Sequence, residues 1–162
     1  MKCNKISLLK FSYPYFHIFT LPLMTALETI NSHYQVIIDK DLEGICSKYY
    51  PSKEAYVILE GPRLTTIGYE KIKKGCIDFC ASNLKLIYIN WIEGPLIEEA
   101  ETMAWVAGII NLEVTVNKTE FENIFRSTFV LIKKDTDWKI KHEHVSLVHE
   151  DPYGIGDWLK KG

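Results

Sequence analysis

The chain is poor in the features that mark specialised protein classes. Only 4 of its 162 residues are cysteine, and Cys3, Cys46, Cys76 and Cys80 lack the dense spacing of a secreted, crosslinked scaffold. Free thiols in a reducing compartment are therefore expected, and with them a cytoplasmic protein. Charge of one sign is also missing. Nineteen Lys and Arg against 21 Asp and Glu leave a net charge of -2, and the charges are interspersed. That excludes a basic stripe for nucleic acid and an acidic tail. There is no Gly-x-Ser-x-Gly elbow and no glycine-rich phosphate loop. The apolar run from Ile6 to Leu23 is interrupted by Lys10 and broken by Pro14 and Pro22. It is too short to span a membrane, and no small-residue cleavage site follows it.

What remains is ordinary globular sequence, 47% hydrophobic and 25% charged, of a length that buries a core without disulfides or metal. Residues 1–23 are expected to form an extension outside the domain, residues 24–150 the domain, and residues 151–162 a tail. The boundary rests on Thr25-Ala-Leu-Glu28, a capping box in which hydroxyl and carboxylate satisfy free backbone N–H groups at a helix start. Leu27, Ile30, Tyr34 and Ile37 continue that helix to about Asp39. Asp41 caps a short second helix, stopped by Pro51. A strand is expected from Ala55 to Leu59 and a turn at Gly61-Pro62. Gly68 opens a third helix with an apolar stripe of Tyr69, Ile72, Cys76 and Phe79. From Leu84 onward the pattern is strand, with a bulge or turn at Gly94-Pro95 and a tight turn at Asn117-Lys118. In the tail, Asp151-Pro152 is placed to cap a last helical turn.

The closing hairpin, Phe125 to His149, carries most of the polar chemistry. With a period of two, Trp138, Ile140, His142, His144 and Ser146 fall on one face, and Lys139, Lys141 and Glu143 on the other. The preceding strand brings Arg126 and Thr128 beside them. The first face is expected inside, lining a pocket. Phe125, Phe129 and Leu131 then fall on the opposite face, where an exposed apolar surface invites a second copy.

Helices followed by a meander of long antiparallel strands make an α+β arrangement in which the curved sheet wraps its helices into an open cone. The element order, Asp41-Leu-Glu-Gly44, Gly68, Arg126-Ser-Thr128 and Trp138-Lys-Ile-Lys-His142-Glu-His144-Val-Ser146 resemble the SnoaL-like domains of the nuclear transport factor 2-like superfamily, over about Met24 to Glu150. The resemblance implies a cone-shaped fold with three N-terminal helices, and a homodimer. It does not select a reaction, because that superfamily holds isomerases, dehydratases, cyclases and kinase association domains.

Three sites compete. In ketosteroid isomerase the base follows the first strand, which here gives Leu59 or the adjacent Glu60. Its tyrosine would fall at His33 or Tyr34. Leu59 cannot take a proton, so that match is poor. A zinc site would need Cys76 and Cys80 to meet His142 and His144, and the spacing gives no reason for it, so no metal or other cofactor is expected. The favoured site is a pocket for a small hydrophobic ligand, with Trp105 and Trp138 as walls and Arg126, Thr128, His142 and His144 as polar fixtures. Either histidine could act as acid or base. Binding or modest acid/base chemistry is expected; the alternative is a dimerisation module with a closed core and no catalysis. A chain starting at Met24 should melt as cooperatively as the full chain in a calorimetric scan, and a loss of several kcal/mol would place the extension inside the core.

Overall fold

A computed structural model of the chain describes residues 23–148, together with Gly154 and Gly156. The extension up to residue 22 and the proposed cap at Asp151-Pro152 lie outside the described residues. Helix α1 spans Ala26–Ile38, and its capping box is formed as the sequence requires. The Glu28 carboxylate accepts from the Thr25 N–H at 2.7 Å, and Thr25 Oγ1 accepts from the Glu28 N–H at 3.2 Å. Glu99, from a distant strand, accepts from the Ala26 N–H at 3.1 Å. A carboxylate there also suits the positive end of the helix dipole. Helix α2, Leu42–Lys48, is capped by the Asp41 side chain.

Two short strands, β1 (Tyr56–Ile58) and β2 (Thr66–Ile67), precede helix α3, Tyr69–Ala81. The helices therefore do not all come before the first strand. The end of α3 is tied to the end of α1 by Lys40, whose Nζ donates to the Ser82 carbonyl at 2.7 Å. Four long strands follow: β3 (Leu84–Glu99), β4 (Met103–Val116), β5 (Thr119–Lys134) and β6 (Asp137–Leu147). Asn117 and Lys118 both take positive φ in the two-residue turn between β4 and β5, the conformation that matches strand twist.

The strands form a single sheet in the order β2-β1-β6-β5-β4-β3. All neighbours are antiparallel except β1 and β6, which run parallel, so the sheet is mixed where a purely antiparallel one was expected. Its curvature comes largely from β3, whose register against β4 shifts at three places between Leu86 and Leu96. Such irregularities bend a strand and increase its twist. The bend also requires close approach of the two backbones. A Cβ added to Gly108 on β4 would stand 2.4 Å from the Glu93 carbonyl oxygen.

The core lies between the helices and the concave face of this sheet. Phe129 and Leu131 are fully buried there, with Phe125, Ile110 and Val106. The expectation that Phe125, Phe129 and Leu131 form an exposed outer face is thus corrected. The reason lies in β6. Leu131 pairs with Ile140 but Val130 pairs with His142, so Lys141 is an extra residue with no partner on β5. Before this bulge Trp138 and Ile140 point inward; after it Glu143 and Val145 do. The bulge sits where the chain after α2 docks on β6. The Tyr50 N–H donates to the Ile140 carbonyl at 2.8 Å, and Lys141 Nζ donates to Ser52 Oγ at 2.9 Å. Replacing Gly108 with Ala should cost about 1–3 kcal/mol in denaturant unfolding, because two backbones must separate to admit a methyl group; an unchanged midpoint would show that the bend does not depend on that approach.

Candidate functional site

The open end of the cone leads into a cavity of about 370 Å³. Its inner walls are apolar side chains from every layer: Ile45 of α2, Val57 of β1, Ile72 of α3, Ile110 and Leu112 of β4, and Val145 of β6. The rim is the exposed segment from Leu59 to Thr65. Polar groups are few inside, chiefly Tyr34, Tyr49 and Glu143.

Glu143 is only 4% exposed although it is a carboxylic acid. The hydroxyl of Tyr49, the residue that closes α2, donates to its Oε2. On the far side stands His33 of α1, completely buried, with Nε2 3.8 Å from Glu143 Oε1. Neither ring nitrogen of His33 has a hydrogen-bond partner among the described residues. The imidazole is held by its edges, T-shaped against the Tyr49 and Phe129 rings at 5.3 and 6.1 Å. Tyr34, one residue on, also lines the cavity, and its hydroxyl shares a 3.1 Å hydrogen bond with Ser127 Oγ. A carboxylate taken this far from water must be offset by hydrogen bonds or opposite charge. Tyr49 supplies the first, and His33 is placed to supply the second when protonated.

Burial decides the titration of the surrounding groups. Desolvation pushes Tyr49 well above the ordinary phenol value, and the charge of Glu143 and the hydrogen bond to it push the same way. Tyr34 is raised chiefly by desolvation as well. The Cys76 thiol, on the α3 wall, is pushed up to about 12 by burial and then by its neighbour Cys46. It is an inert wall group rather than a thiolate nucleophile. At the rim, partial desolvation raises the Glu60 carboxyl.

The residues expected to line the pocket lie elsewhere. Arg126, Thr128, His142 and His144 are brought together, with Trp105 on the adjoining strand, but on the outer face of the sheet. His142 stacks on Tyr56 at 5.4 Å and its Nδ1 meets the Tyr56 carbonyl oxygen at 2.9 Å. His144 lies opposite Thr128, and the Trp105 indole donates to Glu98 at 3.1 Å. Trp138 is buried before the bulge, with Lys133 Nζ 4.9 Å above its ring, and none of the six borders the cavity. Cys76 and the two histidines are on opposite sides of the sheet, so the imagined two-Cys, two-His set does not assemble. Cys46, Cys76 and Cys80 are free thiols. Of the positions compared with ketosteroid isomerase, Tyr34 is in the inner wall, and Leu59 and Glu60 are at the rim.

Glu143 was missed because strict alternation puts it on the wet face. The signal was present in the apolar residues: Trp138 and Ile140 are even, Val145 and Leu147 odd. A strand buried on one face can satisfy both only with an extra residue between them.

A cone of helices in a curved sheet, open at one end onto an apolar cavity, defines a protein of the nuclear transport factor 2-like type. A SnoaL-like domain model matches residues 26–150, and the chain belongs to that family. Its fold is similar to a nuclear transport factor 2-like superfamily protein from Salmonella enterica serovar Typhimurium, with a TM-score of 0.68 at 22% identity over 80% of this chain and 92% of that one. It is also similar to a ketosteroid isomerase-like protein from Erwinia carotovora atroseptica, with a TM-score of 0.65 at 10% identity over 81% and 99%. A third, from Cytophaga hutchinsonii, gives 0.62 at 15% identity over 77% and 100%. These likenesses show the fold alone. A comparison with curated proteins finds no match. Among the described residues, no helix is long and apolar enough to cross a membrane.

The raised tyrosine and thiol values set an alkaline limit on stability. The unfolded chain gives up these protons at the ordinary values, near 9 for the thiol and 10 for the phenols, while the folded chain holds them. Each such group therefore costs about 1.4 kcal/mol of stability per pH unit above its ordinary value. Denaturant midpoints should be flat up to about pH 9 and fall beyond it. Tyr49→Phe should flatten that fall, yet lower stability near neutrality by about 1–3 kcal/mol because Glu143 loses its donor. A midpoint independent of pH up to 11 would contradict the burial of these groups.

Proposed function

We propose that this SnoaL-like protein binds a small, mainly apolar molecule inside the cone and that Glu143 is the group placed to do acid/base chemistry on it. The observation that carries this reading is the cavity itself: apolar walls with one buried carboxylate facing inward, hydrogen-bonded by Tyr49. Apolar lining with a few convergent polar groups is how proteins bind small molecules. Glu143 can accept a hydrogen bond from a ligand hydroxyl or take a proton from an activated C–H, with Tyr49 as the adjacent donor. Residues 24–150 are proposed as the folded body and the cytoplasm as its location.

A second reading, association into a homodimer through the outer sheet face, is supported by apolar side chains different from those first expected. Leu96 is 66% exposed, and Trp105 and Met103 are exposed beside it on β4. The two readings are compatible, because the dimer would use the convex face and the ligand the concave one. His142, His144, Arg126 and Thr128 then serve that outer face.

Gly75 offers the sharpest test. It lies in α3 on the cavity wall, and a Cβ built there meets nothing within 4 Å. Gly75→Leu should hold or raise stability, since glycine inside a helix costs about 0.8–1 kcal/mol relative to alanine, while its side chain fills the cavity. In a thermal-shift screen of aromatic and polyketide-like compounds, wild-type protein should give hits that Gly75→Leu loses. Hits that shift both proteins equally bind outside the cone and would refute the assignment.

A further inference from the structure

A second pocket, of about 360 Å³, adjoins the rim of the cone and is lined by Arg63, Thr65, Thr66, Ile67, Lys71 and Lys74. Arg63, Thr65 and Thr66 border the cone cavity as well, so one short segment separates an apolar space from a basic one. The charge here differs in sign from the chain as a whole, which is -2. Asp78 takes up part of it: Lys74 Nζ lies 3.0 Å and Arg63 4.0 Å from its Oδ2. Glu60 stands on the same rim and takes up more of it. Three cations, Arg63, Lys71 and Lys74, against two carboxylates, Asp78 and Glu60, leave one net positive charge at the mouth, flanked by two threonine hydroxyls.

We infer that the ligand of the cone is an amphiphilic monocarboxylate, with its apolar body in the cavity and its carboxylate on Arg63, Lys71 and the Thr65 and Thr66 hydroxyls. This rests on the ligand-binding reading above and adds the class of ligand. The inner end of the cavity argues for the same orientation. A carboxylate pushed inward would meet Glu143, a like charge in a dry place, whereas at the mouth it meets cations in water. The apolar body supplies most of the affinity through burial. The exposed cations act chiefly as a filter, attracting the anion and fixing which end enters. An uncharged hydroxyl or amide of the same shape lacks that charge attraction.

The test is calorimetric titration of the full chain with a set of aryl- and alkylacetates and their neutral amides. It is run on wild type, on the double variant Arg63→Gln, Lys71→Gln, and on Gly75→Leu. Both double-variant sites are exposed, and unaltered melting confirms that the protein folds. Each carboxylate should bind wild type about three- to tenfold tighter than its amide, with the preference shrinking as salt is added. In the double variant the preference should disappear, the acids falling to the affinity of their amides. Amides that bind as tightly as the acids, and are lost in Gly75→Leu, overturn the anion assignment and leave the cone pocket standing. Absence of binding across the whole set overturns both.

Discussion

The buried carboxylate of Glu143 depends on the one unpaired residue in β6. Side chains alternate strictly along a strand, so a strand without a bulge cannot turn Ile140 and Glu143 to the same side. Lys141 takes up the extra position, and its ammonium is held outside by Ser52 and Glu54 and over the Tyr50 ring. The docking of the segment after α2 and the placing of the carboxylate are therefore one event. Tyr49 comes from that same segment, which brings the donor to Glu143 at the point where the strand changes face.

A space left open inside a small domain is a cost, because its wall atoms forgo the contacts that close packing gives. The cone keeps its space by tying its helices to one another and to the sheet rather than by filling the middle. Lys40 ties the ends of α1 and α3 together, Glu99 fastens the start of α1 to β3, and the Gly108 contact holds the sheet bent. The helices cannot fall inward without breaking these ties. What the cavity surrenders in packing it gains as a place where a carboxylate faces an apolar space, where electrostatic effects are larger than in water.

The two faces of the sheet consequently have separate chemistries. The concave face holds aromatic and aliphatic side chains around one acid. The convex face carries stacked Tyr56 and His142, with His144, Thr128 and Arg126 beyond them. Apolar residues such as Leu96 stand exposed nearby. A histidine on the convex face cannot reach a ligand in the cone.

By itself the sequence determined the elements and the family. Thr25 and Glu28, Asp41, Gly68 and Asn117-Lys118 act through neighbours a few residues away, and local geometry is written in such short-range pairs. The apolar stripe of α1 and the even positions of β4 likewise declare which side faces the core. The tertiary structure decided which side of β6 faces the cone, and hence that Glu143, Tyr49 and His33 meet. A bulge is fixed by a partner strand and by the segment that docks against it, both remote in sequence. One residue of offset exchanges the two faces of everything beyond it. For the same reason five of the six residues expected in the pocket are gathered, as the pairing of β4, β5 and β6 requires, but on the opposite surface of the sheet.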